Sequence, residues 1–193
     1  MVHDDPIARS EDEVERLRSL RRHNILDTAP EQEFDDLVAL ASDICHTPIG
    51  GITMLDAERQ WFKAKIGLDV AETHRSLAFC HHTIQGSDIY EVEDSLKSEL
   101  FCKNDLVLAG PKLRFYAGVP LRSIEGYKVG SLWVGDRVPR KLKESQRENL
   151  KRLAHQAEAL LRLKYYLAEL HAVIQSRDNM VSRLQALERT MEN

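Results

Sequence analysis

Residues 145–191 contain neither glycine nor proline, so nothing in their backbone chemistry interrupts one continuous helix. Ser145, Gln146, Arg147 and Glu148 read as a capping box at its start. From Leu160 onward the apolar residues fall into heptads. Leu160, Leu167, Ile174 and Val181 share one seam position, and Leu163, Leu170, Leu184 and Met191 the other, with Arg177 and Glu188 out of pattern. Tyr166, Val173, Met180 and Leu187 precede the first seam position and widen the apolar stripe. A helix with such a stripe is not stable alone in water. It has to be covered by a second copy, by the N-terminal helix or by a neighbouring domain. The periodicity favours a homodimer through Val14, Leu17, Leu160, Leu163, Leu167, Leu170, Ile174, Val181 and Leu184.

A chain of 193 residues holds one core and an appendage. With 42% hydrophobic and 30% charged residues it has the make-up of a folded protein. No apolar run approaches the ~20 residues of a membrane-spanning helix, and the acidic start MVHDDPIARSEDEVERL is not a signal peptide. Three irregularly spaced cysteines argue for a reducing compartment, so a cytoplasmic location away from membranes is expected. Residues 1–40 carry eleven acidic and five basic side chains, whereas residues 137–170 carry nine basic and four acidic ones. Opposite charge would draw the two terminal segments together. Nucleic acid is not the expected partner of the basic end, because glutamates interrupt it and no aromatic platform accompanies it.

A first helix is expected over residues 11–22, with Val14, Leu17 and Leu20 on one side. A second follows Thr28-Ala29-Pro30-Glu31, read as a capping box, and ends at Thr47-Pro48. The pattern then becomes β-rich. Residues 49–55 and 60–66 form a hairpin, 89–92 a short strand, and 115–123 with 128–135 a second hairpin around Glu125-Gly126. Between the hairpins lie an irregular stretch and a few helical turns, one near residues 80–85. The predicted fold class is α+β, an antiparallel sheet flanked by helices.

Five segments in this order carry a resemblance: LRRHNILDTAPEQEFDDLVALASDIC (20–45), RQWFKAKIGLDVAETHR (59–75), FCHHTI (79–84), RFYAGVPL (114–121) and GSLWVGDRVPR (130–140). The chain resembles a GAF domain of the type found at the N-terminus of bacterial sensor kinases and diguanylate cyclases. The resemblance implies a sheet with terminal helices on one face and a pocket on the other. It also implies a parallel dimer that passes signals along the last helix. Matching pocket positions are Trp61, Phe62, Arg75, Phe79, Cys80, His81, Phe101, Phe115 and Tyr116. Trp133 joins them as a departure, since a small residue or cysteine is common there, and the loop after Asp94 lacks the expected aspartates. The motif of cyclic-nucleotide-binding members is not recognisable, and the resemblance names no ligand or cofactor.

Cys80-His81-His82 invites sharper chemistry: bilin attachment, a metal or haem site with His74 or Cys102, or thiol redox sensing with Cys102 as resolving partner. Each is weighed against Cys80 as a small buried hydrophobe, which prevails. Arg59, Lys63, Arg75 and Arg114 can hold an anion, or else form ordinary ion pairs with Asp56, Asp94 or Asp136. In Trp61-Phe62 and Phe115-Tyr116, strand alternation allows only one of each pair to face a given side. The expected organisation is an N-terminal dimerisation helix (1–22), a GAF core (23–143) and a signalling helix (144–193). The expected function is a non-enzymatic sensory module that binds a small molecule and acts on a partner or downstream output domain. Its alternatives are a ligand-free structural dimerisation domain and a cysteine-based sensor or enzyme similar to free methionine sulfoxide reductases. With no output motif evident, the chain reads as a stand-alone regulator starting at Met1, or as one that stops within a linker helix.

Overall fold

A computed structural model of the chain describes residues 11–191, and the side chains of residues 12–185. Its elements run α1 (Glu11–Arg22), α2 (Gln32–Cys45), β1 (Ile49–Leu55), β2 (Arg59–Ile66), β3 (Glu72–His74), α3 (Phe79–Thr83), β4 (Tyr90–Val92), α4 (Asp105–Leu108), β5 (Phe115–Arg122), β6 (Lys128–Asp136) and α5 (Glu144–Met191). The strands make one antiparallel sheet in the order β3-β2-β1-β6-β5-β4. The α+β class and both hairpins follow the sequence expectation. The edge strand β3 does not, because Glu72-Thr73-His74 carries no apolar alternation.

Period-two alternation sorts the apolar residues between the two faces. Ile52, Met54, Trp61, Phe115, Ala117, Leu132 and Val134 pack under Phe34, Val38 and Ala41 of α2 and Leu150, Ala154 and Leu161 of α5. Ile49, Leu55, Phe62, Tyr116 and Trp133 face the other way and meet Phe79, Cys80, Phe101 and Val107. The β1–β2 register slips between Ile52 and Thr53, where Ile52 opposes Ala64 and Thr53 opposes Phe62. The unopposed residue of this bulge is Lys63. Its ammonium is buried among Thr28 Oγ1 (2.8 Å), the Ala29 carbonyl (2.6 Å) and the Glu31 carboxylate.

Two helix starts depart from the predicted caps. Thr28 donates to the Ile25 carbonyl (2.7 Å) rather than capping, and α2 begins after Glu31, whose side chain makes no cap. The Glu31 carboxylate is taken by Lys63 and by Lys164 of α5, and charge-assisted bonds to two ammonium groups outcompete a backbone N–H. Burial alone would push this carboxyl up, but the hydrogen bonds from Lys164 and Lys63 outweigh it and hold it below the ordinary value. Helix α5 starts at Glu144, ahead of Ser145. Gln146 supplies the cap by accepting from the Lys143 N–H (2.9 Å), and it donates to the Ile44 carbonyl at the end of α2 (3.0 Å). Of the opposite charges at the chain ends, Glu31 and Lys164 do meet, whereas Glu13 of α1 turns to Arg16 and Arg75.

Helix α5 has two regimes. From Leu150 to Tyr165 one side is buried in the helix-side core, with Leu160 partly packed against it. After Tyr165 the described residues leave the core. Leu163, Leu167, Leu170, Ile174, Val181 and Leu184 are between 38% and 55% exposed, and Val14 of α1 is also exposed while Leu17 is half-buried. The side chains of Leu187, Glu188 and Met191 lie outside the described residues, as does the part of the predicted N-terminal helix before residue 11.

Candidate functional site

Phe62 and Tyr116, not Trp61 and Phe115, face the side of the sheet away from α2 and α5. There the segment from Gly67 to Val70, helix α3 and the approach to β5 enclose a cavity of about 350 Å³ with a mainly apolar wall. That volume lies at the small end of small-molecule sites, which run ~300–1,000 Å³. Phe62, Phe79, Cys80, Tyr116 and Trp133 line it, together with Gln60, Leu68, Thr73, Leu106 and Leu113. Two glycines make the room. A Cβ at Gly51 would come within 3.1 Å of the Trp133 Nε1, and one at Gly118 within 2.3 Å of the Tyr116 hydroxyl.

Five sequence-predicted pocket residues are placed elsewhere. Trp61 and Phe115 belong to the helix-side core, because alternation turns them away from their neighbours. Arg75 is buried against Glu13 (2.6 Å) and the Asp56 carbonyl (3.1 Å). His81 follows Cys80 on α3 but lines a separate surface groove beside Glu13, Arg16 and Tyr127. Phe101 stands one layer back, stacked on Phe79 at 3.9 Å between ring centres. Gln60 was missed although its spacing of two from Phe62 puts it on the same face. Thr73 and the 67–70 segment carried no signal.

The four basic residues considered as an anion site are each engaged in ion pairs. Arg59 holds Asp27 and Glu72, Lys63 holds Glu31, Arg75 holds Glu13 and Arg114 holds Asp94. Among the described residues, the ionisable side chains on the cavity wall besides Cys80 and Tyr116 are Asp69 and Arg137, both at exposed positions and of opposite sign. Arg137 Nε donates to the Pro111 carbonyl (3.1 Å).

Deeper in, polar groups are of two kinds. Tyr116 and Thr83 share a hydrogen bond (2.7 Å), Thr53 and Ser131 another (3.2 Å), and both Thr53 (3.2 Å) and Tyr116 (3.4 Å) donate to the Cys80 sulfur. This network is closed. By contrast the Trp133 Nε1, the Gln60 Oε1 and the Thr73 Oγ1 are buried with no partner in the protein. Each such group costs about 1–3 kcal/mol relative to a satisfied one.

Burial pushes the Cys80 thiol up, against weaker opposing hydrogen bonds from Ser131, Thr53 and Tyr116. Burial, helped by Glu91, pushes Cys45 up to about 11. A thiol held protonated is a poor nucleophile, so the arrangement does not favour attack or redox exchange by Cys80. In the folded chain Ellman's reagent is expected to titrate one thiol of three rapidly, the half-exposed Cys102, and the buried pair only on unfolding. Rapid reaction of Cys80 in mass-mapped peptides would restore the redox reading. Among the described residues, no group of three or more His, Cys, Asp or Glu side chains is placed to hold a metal, and no helix is long and apolar enough to cross a membrane.

An antiparallel sheet thus carries terminal helices on one face and an apolar cavity on the other. The GAF domain family matches residues 29–161, and the chain belongs to that family. A cyclic di-GMP phosphodiesterase of Pseudomonas aeruginosa is 41% identical over 130 residues, which are 67% of this chain and 22% of that protein. The chain therefore spans about a fifth of that relative. Among solved structures, the GAF domain of Acinetobacter phosphoenolpyruvate-protein phosphotransferase superposes with a TM-score of 0.57 at 21% identity, covering 80% of this chain and 98% of that one. The blue-light-absorbing PixJ GAF domain of Thermosynechococcus elongatus gives 0.59 at 20% identity, covering 83% and 96%. At such identities the likeness is one of fold. GAF domains are typically sensory or regulatory, occur in signalling proteins and are generally non-catalytic.

Proposed function

We propose that this GAF domain binds a small molecule in the cavity roofed by α3 and transmits its occupancy through a dimer built on α5. One observation carries the reading. The sheet that walls the cavity on one face is covered on the other by the first part of α5, and the same helix then runs on with an unburied heptad stripe. Occupancy that shifts the sheet's packing is felt at the root of the exit helices, whose rotation or register relative to each other is the output. The kinship with a cyclic di-GMP phosphodiesterase supports an output domain or partner enzyme of nucleotide signalling, and a cytoplasmic setting. No catalytic role is assigned to the domain itself. A ligand-free dimerisation domain shares the stripe but leaves the cavity without a purpose.

Native mass spectrometry of the full chain tests both halves together. The expected result is the mass of a dimer, with additional mass per protomer that is lost on denaturation. A monomer without added mass defeats the proposal, and a dimer without it supports the structural reading.

A further inference from the structure

The small-molecule reading deepens into a chemical class of ligand through Arg137, the cation at the cavity's edge. The basic side chains that the sequence offered as anion sites are spent, since Arg59, Lys63, Arg75 and Arg114 each hold a carboxylate of the protein. Asp136, next to Arg137 in the chain, is taken by Arg140. Arg137 itself lines the cavity and, among the described residues, meets no carboxylate within ion-pair distance.

Its side chain is tethered where a ligand would meet it. Arg137 follows directly on β6, whose Trp133 forms part of the same wall. Its Nε donates to the carbonyl of Pro111, another residue of the wall (3.1 Å). That bond leaves both Nη groups without a protein partner among the described residues. The two-pronged end of a guanidinium matches the two oxygens of a carboxylate.

The remaining wall sets the rest of the ligand. Phe62, Leu68, Phe79, Leu106, Leu113 and Trp133 present a mainly apolar surface. A second charge carried inward would lose its water there with no counter-charge to meet it. Asp69, the other charged residue of the wall, is exposed, and among the described residues nothing bonds to its carboxylate. It can turn outward, where water and salt screen its repulsion.

The geometry points to a small organic acid, one carboxylate on an apolar body. The carboxylate lies on the Arg137 fork at the mouth, and the body, a ring or short chain, lies against Phe62 and Trp133. This assignment rests on the cavity being the ligand site.

Four probes sharing one body test it on the full chain: phenylpropanoate, phenylpropanol, phenylpropylamine and phenylalanine. The chain has two tryptophans, so the indole N–H resonance of Trp133 in a nitrogen-15 spectrum reports entry into the cavity, with Trp61 as internal reference. Phenylpropanoate is expected to bind about tenfold tighter than the alcohol, the size of one charge-assisted contact at a partly screened site. It should also bind tighter than the amine or the amino acid. Arg137→Gln should bring the acid down to the level of the alcohol and leave the alcohol unchanged, while Arg137→Lys keeps part of the preference. Half-molar salt should shrink that preference, and Asp69→Asn should strengthen binding of the acid. Equal binding of acid and alcohol, or a preference that survives Arg137→Gln, overturns the inference while leaving the cavity as a ligand site. Tightest binding by phenylalanine overturns the single-charge class, and tightest binding by the amine overturns the anionic one. Should no probe move the Trp133 signal, the cavity reading falls, and this inference with it.

Discussion

With Leu170 and Ile174 both replaced by glutamate, the chain is expected to sediment as a monomer at concentrations where the unaltered chain is a dimer. Six seam residues, Leu163, Leu167, Leu170, Ile174, Val181 and Leu184, are roughly half exposed in the single chain. Full burial of such a side chain is worth ~1.5–3 kcal/mol, so completing the burial of twelve in a pair contributes on the order of 10 kcal/mol. Association itself costs about 4–15 kcal/mol in lost freedom. The two are comparable, and the dimer thus depends on nearly the whole stripe. Glutamate at two central positions of each helix removes a third of those contacts and places four carboxylates in the seam. The dissociation constant should rise at least ~100-fold. Both positions lie beyond Tyr165, where α5 has left its own core, so the circular dichroism of the sheet domain should be unchanged. An unaltered chain that is already a monomer at high concentration would sink the proposed route of transmission.

Glu13→Ala is expected to cost about 3–5 kcal/mol of stability, among the largest effects of any single substitution outside the apolar core. Glu13 binds Arg16 at 2.7 and 2.8 Å and Arg75 at 2.6 Å, and all three residues are at most 7% exposed. Removing the carboxylate leaves two buried guanidinium groups without the counter-charge they share. The contact also has a place in the site, for Arg75 begins the turn that leads into Phe79 and Cys80 on the cavity wall. Urea unfolding at one fixed protein concentration, which keeps dimerisation constant, measures the effect. A loss below ~0.5 kcal/mol would show that the cluster contributes nothing.

The same cluster predicts a pH dependence. Burial raises the Glu13 carboxyl, but the bonds and charges of Arg16 and Arg75 outweigh it and set it below the ordinary glutamate value of 4.5. A carboxyl depressed in the folded state stabilises fully above that ordinary value, and the contribution is lost as pH falls through the lower folded value. Glu31, lowered by Lys164 and Lys63 against its own burial, acts in the same direction. Stability should fall below about pH 4.5, and the fall should be shallower in Glu13→Ala.

Much of the sheet was legible because its signals are local. Residues 49–55 and 115–122 carry runs of strand formers between turn residues, and their bounds emerged almost unchanged. The helix caps were legible in kind but not in outcome. Thr28 and Glu31 have the right types and spacing, yet Lys63 and Lys164 arrive from distant elements to claim the glutamate. The pocket was half legible. Alternation made Trp61 and Phe62, and Phe115 and Tyr116, mutually exclusive choices, but which of each pair faces the cavity depends on which face α2 and α5 cover.

What the sequence determined by itself was the alternation of short strands, the positions of the long helices and the stripe that α5 cannot hide. These are periodicities, and a period is a property of neighbours along the chain. The tertiary structure alone decided that Gln60 and Thr73 stand side by side, that Trp133 reaches over Gly51, and that Arg75 turns away from the cavity toward Glu13. Those outcomes follow from strand register and from the pairing of buried charges, which are settled only when segments far apart in sequence exclude water from each other.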